Sequence, residues 1–558
     1  MQKPCRQCQT QFEITDEDLA FYDKVSPVFG GKKYLIPPPT LCPDCRQQRR
    51  LMFVNDINLF MNKCAATGKE VVSNYHPNSQ YKVYDQELWW SDKWDAIEHG
   101  RIFDFNRSFF NQLNELSKAV PRPNVFTAYQ YDENCTFTNG AGKNKNCYLI
   151  FDSDYCQDSY YSYSINNTKN CIDCYRVRKS ELCYENTDCK DCYKSRYLTN
   201  CVNCNDSAFL DDCYACSNCF MSFNLQHKKY YIYNKPSTKE EYEKFMNMLS
   251  NSVNVEKFKL EFEKLKSSYP KKYYHGTQNE NITGDYLYNC KNVKNSFDCN
   301  EIWDGKYLFQ SFGAQIKDSM DFNECGEFAE LIYECNVSGY NLNNALFCNY
   351  VLDQCSNMLY CMNCHFSSYL FGCIGLQRKK YCILNKQYSK EEYEKLVPKI
   401  IEQMEKNKEW GEFFAPVISP FAYNDSLAID FFPLSQKEAM EHGYKWRDKD
   451  QDKRPQTYMA PENIQDVPDS IIKEVLACIK CGSNYKIISQ ELKFYRDQKM
   501  PIPTKCFKCR HYARMHGRNP RKLWQGACAK CQAPIQTTYA PDRLEIVYCE
   551  KCYLEAVY

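Results

Sequence analysis

Asp188-Cys-Lys-Asp-Cys-Tyr-Lys-Ser-Arg-Tyr-Leu-Thr-Asn-Cys-Val-Asn-Cys-Asn-Asp-Ser-Ala-Phe-Leu-Asp-Asp-Cys-Tyr-Ala-Cys-Ser-Asn-Cys-Phe220 is the stretch on which the fold turns. Its cysteines fall on a three-residue grid, and the grid reaches back to Cys135: all thirteen Cys from Cys135 to Cys219 are separated by multiples of three. Ten of the thirteen follow Asn or Asp, which tolerate the left-handed backbone of a tight corner. A thiol is compact and nearly apolar. Each Cys is therefore expected to open a short strand just after a bend and to face a narrow interior, the pattern of a β-solenoid with coils on the order of 20 residues. Cys189, Cys192, Cys201, Cys204, Cys213 and Cys216 should be the most deeply buried, as free thiols.

Outward from this stretch the middle of the chain is duplicated. The segment beginning Lys228-Lys-Tyr-Tyr-Ile-Tyr-Asn-Lys235 recurs as Lys379-Lys-Tyr-Cys-Ile-Leu-Asn-Lys386. Thr238 with Glu241, and Ser389 with Glu392, form capping boxes that start helices of about 20 residues. The second copy keeps the three-residue rule only from Cys355 to Cys382, so its register has drifted.

The ends of the chain carry a different cysteine chemistry. Cys5, Cys8, Cys42 and Cys45 open it; Cys478, Cys481, Cys506 and Cys509, then Cys528, Cys531, Cys549 and Cys552, close it. Each Cys-x-x-Cys knuckle supplies two thiolates, and a second knuckle completes a tetrahedral structural zinc site. Three zinc ions per chain are expected. A redox dithiol would leave the paired knuckles unexplained. With 36 Cys, no apolar run of membrane-spanning length and no export-type leader, the chain is expected in the cytoplasm with no membrane partner.

The first two ribbons are related: Cys5-x-x-Cys8 with Phe12, Ile14, Leu19, Phe21 and Tyr22 matches Cys478-x-x-Cys481 with Tyr485, Ile487, Leu492, Phe494 and Tyr495. Pro39-Thr-x-Cys-x-x-Cys-Arg46 likewise matches Pro503-Thr-x-Cys-x-x-Cys-Arg510. These motifs, with Val547-Tyr-Cys-x-x-Cys552 at the end, resemble the probable zinc-ribbon domains of an uncharacterised Cys-rich protein family of candidate-phyla-radiation bacteria. The resemblance implies zinc binding and a bacterial cytoplasm and supplies no reaction.

Lys+Arg 71 against Asp+Glu 70 excludes a wholly basic nucleic-acid coat. Charge is local instead. Between Gln498 and Pro541 stand Lys505, Lys508, Arg510, Arg514, Arg518, Arg521 and Lys522, interleaved with Phe507, Tyr512 and Trp524 and with no acid. Cationic forks beside aromatic planes suit RNA or single-stranded nucleic acid; the competing reading is a solvated face. No HExxH, GxSxG or Walker loop is present, and no catalytic residue is assigned.

The expected fold is multidomain and mainly β, with tandem Cys-rich β-solenoid units, helical appendages and flanking zinc ribbons. Its order is a ribbon over 1–50, an α-rich aromatic linker domain over 51–130, solenoid units over 131–235 and 276–386, a helical segment over 236–275 and a helix over 387–413. A connector over 414–468 and ribbons over 469–520 and 521–558 complete it. The expected function is a zinc-binding, non-catalytic protein contacting RNA or a ribonucleoprotein. The alternatives are a protein-interaction scaffold using the solenoid surface, and a metal- or thiol-dependent enzyme.

Overall fold

The computed structural model describes residues 1–324, 326–448 and 454–557. Cys325, and residues 449–453 within the expected connector over 414–468, lie outside the described residues. The fold is mostly β, and the chain forms two compact units. One gathers Met1–Val125, Tyr274–Asp448 and Arg521–Leu523; the other gathers Phe126–Tyr273, Lys449–Pro520 and Trp524–Tyr558. The N-terminal ribbon thus belongs with the second Cys-rich copy and the C-terminal ribbons with the first.

In the unit holding the first copy, parallel pairing runs at a constant register. Glu133 faces Lys145, Lys145 faces Gln157, Gln157 faces Lys169, and so on to Ser217 and Lys229, a step of 12 residues. Further rows start at Thr136, Asn139 and Gly142 with the same step. The step is 12, not the 20 expected. Every third residue from Asn134 to Tyr233 has positive φ, for example Asn170 at 50°, Asp173 at 55° and Asp188 at 52°. Each Cys from Cys135 to Cys219 follows one of these corners, so three-residue sides account for the grid.

The corners also explain the choice of Cys. A left-handed corner turns a carbonyl inward, where a short donor can reach it; Ile150, Ile165, Val177, Leu198 and Leu210 fill other positions of the same interior without one. Cys156 Sγ lies 3.3 Å from Asp154 O and 3.4 Å from Ile165 O. Where Ser replaces Cys it does the same and more: Ser153 Oγ donates to Phe151 O at 2.7 Å and accepts from Ile165 N at 3.1 Å. These carbonyls also accept ladder amides, Asp154 O from Asn167 N at 3.1 Å and Ile165 O from Asp154 N at 3.2 Å, so the thiol adds a second, weak contact to each. The six Cys singled out above are buried and form no disulfide, but they are not the most deeply buried of the copy: Cys171, Cys174, Cys183 and Cys219 are fully buried where Cys189, Cys192 and Cys213 are 2% exposed.

Both copies end alike. Tyr231–Ile232 folds back on Lys235–Pro236, and the Asn234 side chain binds Phe223 N and O, each at 2.8 Å. Asn385 does the same to Ile374 at 2.8 and 2.7 Å. Both capping boxes are present, starting Lys239–Met248 and Lys390–Lys406; after the first, a separate helix spans Ser252–Lys266. In the second copy the register step is 13 where Ala329 faces Leu342 and Asn349 faces Met362. It returns to 12 where Ser356 faces Ser368, the stretch in which the Cys grid returns. The segment over 51–130, expected to be α-rich, opens instead with a hairpin of Phe60–Lys63 and Glu70–Ser73 and holds one helix longer than a turn, Phe109–Ala119.

Candidate metal centres

The twelve knuckle cysteines come together as the sequence grouped them: Cys5, Cys8, Cys42 and Cys45; Cys478, Cys481, Cys506 and Cys509; Cys528, Cys531, Cys549 and Cys552. Within each group all four Sγ atoms lie within 4.8 Å of one another. A tetrahedron with metal–sulfur bonds of about 2.3 Å has edges of about 3.8 Å. The observed Cys8–Cys42, Cys481–Cys506 and Cys531–Cys549 separations of 3.6, 3.7 and 3.7 Å fit such a cage.

Local sequence builds each knuckle. The residue after the second Cys takes the left-handed turn, Gln9 at φ 61°, Gly482 at 72° and Gln532 at 61°, which folds the hairpin back over the sulfurs. In the first two groups the third Cys caps a helix, so Cys42 and Cys45 sit at the start of Pro43–Leu51 and Cys506 and Cys509 at the start of Phe507–His516. Burial opposes ionisation of Cys528, but the amides of Cys531, Cys549 and Lys530 outweigh it and bring the thiol down to about 6. The turn is thus poised to hold thiolate, the form a soft metal binds.

The basic residues are placed differently from the expectation. Arg510, Arg514, Arg518 and Arg521 do not form an exposed stripe. Arg510 Nε lies 3.0 Å from Asp173 Oδ2, and Arg514 Nη1 lies 3.1 Å from Asp173 Oδ1. That aspartate is fully buried at a ladder corner, and both arginines are buried with it. Arg510 also donates to Lys505 O at 2.9 Å and sits 5.0 Å over the Tyr161 ring. Arg518 Nε reaches Asp188 Oδ2 at 2.6 Å. In the other unit Arg521 Nε reaches Asp298 Oδ2 at 2.8 Å, with its guanidinium against Phe309 and Phe431. Lys508 and Lys522 are exposed, and Lys505 stands 3.7 Å from Glu256. A clustered run of basic residues without acids in sequence is here a run whose acids lie in the ladders.

The N-terminal ribbon repeats this clamp on the second ladder. Arg46 Nε and Nη2 each lie 2.8 Å from Asp321 Oδ2, Arg50 Nη2 lies 3.2 Å from Asp321 Oδ1, and Arg46 Nη1 donates to Leu41 O at 2.8 Å. Tyr307 takes the place of Tyr161, with Arg46 5.5 Å over its ring. Asp321 and Asp173 share φ 55°. Arg49 and Arg50 add Glu334, at 3.2 and 3.0 Å. Asp173, Asp188, Asp298, Asp321 and Glu334 are the site residues that the sequence reading missed; each is an acid at a left-handed corner, and nothing in the sequence ties it to a ribbon arginine.

Compared with protein-family models and with curated proteins, the chain matches none. Among the described residues no helix is long and apolar enough to cross a membrane.

Proposed function

We propose that the chain is a zinc-stabilised, non-catalytic binding protein in which each ladder is a closed, four-sided β-solenoid serving as a platform, and each platform is stiffened by ribbons clamped to it. The observation that carries this reading is the buried clamp of two ribbon arginines on one corner aspartate, repeated at Asp173 and Asp321. It supports a ribbon whose cationic helix is directed to its own platform rather than to a polyanion. The partner class best suited to the platform is protein. The outer row that starts at Glu133 mixes charges and pairs them, with Lys145 Nζ 2.8 Å from Glu133 and Lys169 Nζ 3.6 Å from Glu181, and Tyr155, Tyr193 and Tyr214 are exposed on the first ladder. Mixed charge with tyrosine suits a protein surface, whereas a phosphate backbone favours uncompensated cations.

Zinc is the metal we assign to the three four-cysteine groups, because closed four-thiolate cages are characteristic of structural zinc. Native mass spectrometry of the purified chain should find three zinc ions; none would sink the assignment. Filter binding with homopolymeric RNA at low salt should show no retention beyond that of a charge-matched control. Retention that falls steeply with salt and is lost in K505E/K508E/K522E would replace this reading by the nucleic-acid one.

A further inference from the structure

The hairpin at Phe60–Ser73 and the segment beyond it repeat the last ribbon position for position. Phe60 faces Ser73 and Lys63 faces Glu70, as Trp524 faces Thr537 and Ala527 faces Pro534, a constant offset of 464 residues. Cys64 N donates to Lys69 O at 2.8 Å and Gly68 N to Cys64 O at 2.8 Å; Cys528 N donates to Ala533 O at 2.8 Å and Gln532 N to Cys528 O at 2.9 Å. Gly68 takes the left-handed turn at φ 72°, as Gln532 does at 61°.

The match continues through the second half. Ala65 N donates to Val83 O at 2.7 Å and Ala529 N to Val547 O at 2.9 Å. Val83-Tyr84 and Val547-Tyr548 are the same dipeptide, and each pairs in parallel with a short strand, Arg122–Pro123 for one and Lys271–Lys272 for the other. A helix then begins at Gln86 in one and at Glu550 in the other. At the four ligand positions the correspondence is Cys528 to Cys64, Cys531 to Thr67, Cys549 to Asp85 and Cys552 to Leu88.

We propose that residues 60–89 are a fourth ribbon, one that folds without metal and keeps at positions 64, 67, 85 and 88 the backbone of a four-thiolate site. The inference rests on reading the three four-cysteine groups as metal sites. What the metal does elsewhere, other contacts do here. The Asp85 carboxylate accepts Leu88 N at 2.9 Å and caps the short helix. Trp89, fully buried, lies 4.8 Å from the Trp90 ring and 5.6 Å from His365 and donates from Nε1 to Pro121 O at 3.3 Å. Tyr75, Val83 and Phe421 form a buried cluster behind the hairpin. A hydrophobic plug of this size can replace the crosslink that small ribbons draw from zinc.

The test is the full-length chain carrying Thr67→Cys, Asp85→Cys and Leu88→Cys, loaded with zinc and weighed intact beside the parent. One additional zinc relative to the parent is expected. Equal zinc in the two overturns the proposal. A parent without zinc and a variant with one ion would sink the metal reading of the three groups and uphold this one. Because the variant can misfold, the parent supplies a second readout: hydrogen exchange in excess chelator. The 60–73 hairpin should keep its protection while 524–537 loses it. Loss in both overturns the proposal; retention in both sinks the metal reading of the last ribbon, while the 60–73 hairpin still folds without metal as proposed.

Discussion

Asp173→Ala should release the second ribbon from its ladder. The carboxylate is fully buried and meets Arg510 at 3.0 Å and Arg514 at 3.1 Å, so its removal strands two guanidiniums that are 7% and 8% exposed. Breaking a buried ion pair by deleting one partner costs about 3–5 kcal/mol, because the remaining charge stays out of water. Arg510 retains Lys505 O at 2.9 Å and Arg514 retains Tyr161 O at 3.3 Å, which places the loss at the low end, about 3 kcal/mol. That is roughly two orders of magnitude in the opening equilibrium. The readout is hydrogen exchange of the helices Ser489–Asp497 and Phe507–His516 in zinc-loaded protein. The triple variant Asp173→Leu with Arg510→Met and Arg514→Met should restore protection, since replacing a whole buried ion cluster by apolar groups is often neutral or stabilising. Protection in D173A within threefold of the parent, or a triple variant as exposed as the single one, refutes the clamp.

Burial raises the Glu491 carboxyl to about 8 against the pull of Arg510, so the folded chain holds a proton that an unfolded chain releases near 4.5. The stability from this group is present below that lower value and is lost as pH rises toward 8; Glu491→Gln should flatten the decline of unfolding midpoint between about pH 4.5 and pH 8, and an unchanged slope refutes it. Alkylation of the native chain should spare Cys171, Cys174, Cys201 and Cys204, all fully buried, and label them after denaturation; fast native labelling would contradict the ladder interior. At Cys204, substitution by Ser should cost less than about 1.5 kcal/mol because Ser already fills neighbouring interior positions, whereas Leu should cost about 1–3 kcal/mol by overpacking. Equal losses in a urea melt would show that the site does not select short donors.

The three four-cysteine groups were legible because metal ligands must recur as knuckles, and the corners were legible because Asn and Asp mark left-handed backbone. The register step stayed ambiguous for a physical reason. Three-residue sides place every inward residue on a multiple of three whatever the number of sides, so the grid reports side length and not circumference. The pairing of Glu133 with Lys145 and of Thr136 with Tyr148 decides it. The arginine clamp was hidden by chain distance, since Asp173 and Arg510 are 337 positions apart and nothing local to either announces the other. The fourth ribbon escaped a reading keyed to cysteine because it keeps one Cys of four. Its Tyr75-x-Pro77 and Val83-Tyr84, matched by Tyr539-x-Pro541 and Val547-Tyr548, carried the signal instead.

Metal and clamp are linked through one helix. In Phe507–His516 the ligands Cys506 and Cys509 stand at its start and Arg510 and Arg514 come next at i and i+4, on one face. Pro43–Leu51 repeats the plan with Cys42, Cys45, Arg46 and Arg50. An isolated helix of about ten residues is marginal in water, so the direction in which the two guanidiniums point is set by whatever fixes its first turn. A metal held by the four thiolates would fix that turn, and the fork then closes on a fully buried carboxylate. Binding at the four-thiolate cage and seating of the ribbon therefore favour each other thermodynamically: a clamp variant should hold its metal less tightly, and a chain stripped of metal should lose the clamp before it loses the ladder, whose hydrogen bonds and thiol interior need no ion.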